Sequence, residues 1–90
     1  MIKYVVEVTQ RVAVTLDEAR FDDEFMESFN DSIADFGDDL ERHAQHLGQL
    51  YARGIVDNGD FMEGYGHADD MGVTFEEEWT EAEVISSKKL

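Results

Sequence analysis

The sequence predicts an α+β fold in β-α-α-β order, with two long terminal strands pairing antiparallel and two helices packed on one face. Three observations carry this. Residues 2–16 alternate with a period of two, residues 22–53 hold two apolar stripes at helical spacing, and residues 73–85 return to strand-like alternation. At 90 residues the chain has room for one core, so residues 1–90 are read as a single domain.

In the first strand Ile2, Tyr4, Val6, Val8, Val12, Val14 and Leu16 share one parity, while Lys3, Glu7, Thr9, Arg11 and Thr15 share the other. A hairpin turn at Thr9-Gln10 would move Arg11 onto the apolar face and expel Val12, so the pattern predicts one continuous strand. Asp22 then has the chemistry of a helix N-cap, with Phe21 and Met26 at staple positions on either side. Phe25, Met26, Phe29, Ile33 and Phe36 follow along one helical face, and Gly37 stands where a C-terminal glycine stop belongs. Asp38-Asp39-Leu40-Glu41 resembles a capping box. Leu40, Ala44, Leu47 and Tyr51 make the next stripe, and Arg53, Gly54 and Ile55 predict a Schellman ending that meets Leu50.

Residues 57–72 are glycine-rich and read as a loop, with a turn at Asp57-Asn58-Gly59 and a short helical turn at Phe61-Met62. In the last strand Val73, Phe75 and Trp79 share one parity, but Ala82 and Val84 take the other. That phase change near Glu78–Glu81 predicts a bulge or the end of the strand. Two strands make a poor sheet alone, so the sheet is expected to be extended by homodimerisation.

The charge is distributed unevenly. The formal net charge is −15, yet Lys3, Arg11 and Arg20 offset Glu7, Asp17 and Glu18 in the first twenty residues. Residues 21–85 hold 19 acids against Arg42 and Arg53 alone, a local charge of −17. Such a field attracts basic protein surfaces and repels nucleic acid and anionic membranes. With 42% hydrophobic residues, the chain is too apolar for a disordered acidic tail. It has no cysteine for a disulfide or thiolate site, and no apolar run near the roughly 20 residues of a membrane span. A soluble cytoplasmic protein is the expectation.

His43 and His46 lie three apart on the second helix and His67 sits in the glycine-rich loop, a spacing open to a metal site. His43 falls beside the apolar stripe and His46 nearer the polar face, however, so solvated or hydrogen-bonded histidines are the expectation. Asp57-Asn58-Gly59-Asp60 resembles the start of a calcium loop, but the twelfth position is Ala68 where a glutamate is needed. No nucleophile motif, phosphate-cradling loop or basic aromatic stripe is present. No catalytic residue, metal or cofactor is therefore assigned, and the chain is not expected to be an enzyme. The clusters Asp22, Asp23, Glu24 with Glu27, Asp38 with Asp39, and Glu76, Glu77, Glu78 with Glu81 form the candidate partner-binding surface.

Residues 44–66, AQHLGQLYARGIVDNGDFMEGYG, look like short proteins of phages and mobile elements. The compact acidic α+β composition without cysteine resembles the small inhibitors such elements make against host defence, nearest the anti-CRISPR proteins and more widely the DNA mimics. That resemblance implies occlusion of a nucleic-acid-binding groove on an effector complex in the host cell. The expected partner is thus a basic nucleic-acid-binding protein or a CRISPR effector complex, with no direct nucleic acid contact. The alternatives are a structural or assembly protein of a mobile element whose charge serves solubility, and a metal-dependent regulator using the histidines.

Overall fold

A computed structural model describes residues 1–90 as β1 (Ile2–Thr15), α1 (Asp23–Ser32), α2 (Leu40–Ala52), β2 (Phe61–Met62), β3 (Gly66–His67) and β4 (Thr74–Lys89), with 3₁₀ turns at Glu18–Arg20 and Ala68–Met71. The class is α+β, and β1 and β4 pair antiparallel over their whole length. The chain does not reverse at Thr9-Gln10. Two irregularities interrupt the ladder, one between Arg11 and Val12 that skips Glu78, and one between Val5 and Val6 that skips Ile85. The first produces the phase change seen in the sequence, because an extra residue shifts every later side chain to the opposite face.

Asp22 caps α1 by accepting from the Phe25 N–H at 2.9 Å, and the flanking Phe21 and Met26 are both buried. The helix stops at Ser32, four residues before the predicted Phe36. The Asn30 side chain accepts from the Phe36 N–H and donates to the Gly37 carbonyl, both at 3.0 Å. These bonds turn the chain back and leave Ile33 and Phe36 outside the helix. Asp39, rather than Asp38, caps α2, accepting from the Glu41 and Arg42 N–H groups. The predicted Schellman ending forms: Ile55 N–H donates to the Leu50 carbonyl and Gly54 N–H to that of Tyr51, both at 2.9 Å, with Gly54 at φ +74°.

Phe61 and Met62 correct an expectation, for they are strand and pair with His67 and Gly66. The segment from Val56 to Met71 is also more than a loop. It supplies Val56, Met62, Tyr65, Ala68 and Met71, five of the eleven buried hydrophobics of the core. They close on Phe21, Met26 and Phe29 from the α1 region, Leu47 of α2, and Val73 and Phe75. Gly64 permits this closure: at φ +85°, a Cβ there would stand 2.8 Å from both Ile33 Cγ1 and Phe29 Cε2.

The helices cover only the root of the ribbon, where Val12 and Val14 pack on the core. Residues 2–9 and 76–90 contain no buried side chain, so the outer ribbon is an arm projecting from the body. The radius of gyration is 16.7 Å, against about 12 Å for a compact chain of this length. The principal extents are 54 × 25 × 20 Å. No helix is long and apolar enough to cross a membrane.

Candidate partner-binding surface

α1 presents Asp23, Glu27 and Asp31 one turn apart, at intervals of about 6 Å along the axis. The turn made by Asn30 brings Asp38 to the same place, and these four carboxylates with Asn30 line one groove without an apolar or basic residue. Asp31 was not singled out from the sequence, although its i+4 spacing from Glu27 was the available signal.

The other sequence-derived residues divide by role. Asp22 and Asp39 face the helix ends they cap. Asp22 and Glu24 border a separate shallow depression that also contains Arg20. On β4, Glu76 pairs with Ala13 and Glu81 with Thr9, so both share the ribbon face of Arg11. Glu77 pairs with Val12 on the opposite face, where it accepts from the Thr80 hydroxyl, and Glu78 lies in the skipped position. None of the grooves that include α1 acids includes a β4 carboxylate. The clusters therefore form two surfaces, and the α1 surface is the one with a shape.

Few of the carboxylates have basic partners. The single ion pair is Arg20–Asp17, at 3.8 Å between exposed side chains, where it contributes little. Arg42 lies over the Phe36 ring at 4.9 Å and Arg11 over Trp79 at 5.8 Å, so both are drawn toward aromatics.

Comparison with protein-family models, curated proteins and solved structures finds no match.

Of the three histidines, only His43 belongs to the core. His43 is completely enclosed, with Nδ1 2.9 Å from the Tyr65 hydroxyl and the rings of Phe29 and Phe36 about its edge, while its Nε2 meets no protein partner. His46 packs on Phe36 and His67 on Phe61. No three His, Asp or Glu side chains converge at metal-binding distance.

Burial holds the His43 pKa below its usual 6.5, reinforced by His46 and Arg42 and opposed by Asp39. Burial also lowers that of His46, and it raises that of the Tyr65 hydroxyl. The unfolded chain thus takes up the two histidine protons at a higher pH than the folded one. Stability contributed by the neutral rings is complete above pH 6.5 and is lost as pH falls through that value toward the lower folded-state values. Urea midpoints measured across this range should fall on acidification. A midpoint that holds or rises between pH 6.5 and the onset of carboxylate titration would contradict the enclosed neutral His43.

Proposed function

We propose that this protein is a non-catalytic acidic inhibitor that occupies the basic, nucleic-acid-binding surface of a protein such as a host-defence effector complex. The observation that supports it is the α1 groove, where Asp23, Glu27, Asp31 and Asp38 stand together with no base among them. Four gathered like charges cost self-repulsion, which a surface of Lys and Arg would relieve while shedding its own counterions. Carboxylates spaced by about 6 Å on one helix are sparser than the phosphates of one DNA strand, at about 3.4 Å per residue of axis. Asp38, contributed by the following turn, raises the local density. Electrostatic attraction of this kind speeds encounter and makes the complex salt-sensitive.

The test is a quadruple variant, Asp23→Asn, Glu27→Gln, Asp31→Asn and Asp38→Asn, which spares the caps Asp22 and Asp39. Immobilised parent protein should retain nucleic-acid-binding proteins from a bacterial lysate at low salt and release them to added duplex DNA. The variant should fold normally and retain none of them. If both proteins retain the same set, or DNA displaces nothing, the carboxylates serve solubility instead.

A further inference from the structure

We propose that the projecting arm is a self-pairing device: β1 binds the β1 strand of a second copy, antiparallel and edge to edge, with Val5 opposite the partner's Val5. This inference is independent of the inhibitor reading, since it uses the arm and not the α1 groove.

The sheet has only two strands, so β1 keeps one edge of backbone N–H and C=O groups unpaired along the arm. One face of that arm carries Ile2, Tyr4, Val6 and Val8 beside Ala82 and Val84, and Tyr4 and Val8 are 59% and 63% exposed. An isolated two-stranded ribbon with such a face is marginal in water.

The charges select the occupant and the register. On the other face Lys3 stands directly opposite Lys88, and Glu7 directly opposite Glu83. Like charges facing across a ladder destabilise it, so each copy alone carries two unfavourable pairs. A twofold axis perpendicular to a sheet pairs only residues of equal parity, and centring it on Val5 brings Lys3 against the partner's Glu7, twice. Each row then reads Lys88, Lys3, the partner's Glu7, the partner's Glu83, so every like pair gains an opposite neighbour. On the apolar face the same register sets Tyr4 against the partner's Val6 and Ile2 against the partner's Val8, both favourable cross-strand combinations. The two acidic bodies lie at opposite ends of the four-stranded sheet, where their mutual repulsion is screened.

Charge reversal tests the register. Lys3→Glu turns the pair with Lys88 into an attractive one, and Glu7→Lys does the same with Glu83, so each single variant should fold at least as well as the parent. The parent should scatter light as a dimer of about 20.6 kDa, twice the 10.3 kDa chain. Each single variant should be monomeric at about 100 µM, a concentration that favours association. Mixing the two should restore a heterodimer. The Lys3→Glu chain carries a carboxylate at both positions and the Glu7→Lys chain an ammonium at both, so each facing pair is again opposite in sign. A monomeric parent overturns the proposal. So do single variants that remain dimeric, as they would if the apolar faces or the β4 edges paired, and so does a mixture that stays monomeric.

Discussion

Val73→Asp is expected to abolish the folded state. Val73 is fully enclosed beside Phe75, where the last strand enters the core. The substitution forfeits about 1.5–3 kcal/mol of apolar burial. It also places a carboxylate where no base stands, at a further cost of about 3 kcal/mol or more. A domain of 90 residues has about 5–13 kcal/mol in total, and an elongated one with a small core belongs at the lower end. Near-UV circular dichroism should lose its aromatic signal and thermal unfolding its cooperativity. Thr74→Asp, one residue along and exposed, should leave both intact. A cooperative transition in the Val73 variant would mean that the core boundary lies elsewhere.

The second large effect is expected at Asn58, which behaves as a fragment of a missing strand. Its side chain accepts from the Phe75 N–H at 2.7 Å and donates to the Phe75 carbonyl at 3.0 Å, as a neighbouring peptide group would. Asn58→Ala leaves both backbone groups without partners beside a buried ring, at about 1–3 kcal/mol each when fully desolvated. A net loss of about 2–4 kcal/mol is expected, a fall in midpoint of roughly 10–25 °C for a chain of this size. Asn58→Asp should be similarly damaging, since it removes the donor and sets a carboxylate against the Phe75 carbonyl. A midpoint within about 3 °C of the parent for either variant would show that the two bonds are replaced by solvent at no cost.

The elements that were legible are those whose signal is local and repeated. The parity of Val6, Val8, Val12 and Val14 defines β1, and the Arg53-Gly54-Ile55 ending defines the close of α2. What escaped prediction depends on single long-range contacts. Nothing periodic marks Met62, Tyr65 or Met71 as core, because tight turns deliver each one separately to the interior. The early end of α1 comes from one amide, Asn30, reaching forward to residues 36 and 37. The candidate site was half visible for the same reason. The spacing of Asp23 and Glu27 is written along the helix, but the arrival of Asp38 beside them depends on that turn. The Asp22 cap is legible in the sequence, yet a capping carboxylate is held at its helix end, which removes Asp22 and Asp39 from the surface free to meet a partner.

The elongated arm gives the molecule a direction. Its tip carries Lys3, Lys88 and Lys89, while 14 of the 19 acids of residues 21–85 lie on the body and the other five, Glu76 to Glu83, along the arm between body and tip. Opposite charges held apart along a 54 Å axis make a large permanent dipole. In the field of a positively charged surface such a molecule experiences a torque before it makes contact. A single copy therefore arrives body first with the arm trailing, whereas in the paired form the two arm dipoles oppose one another and either body can lead.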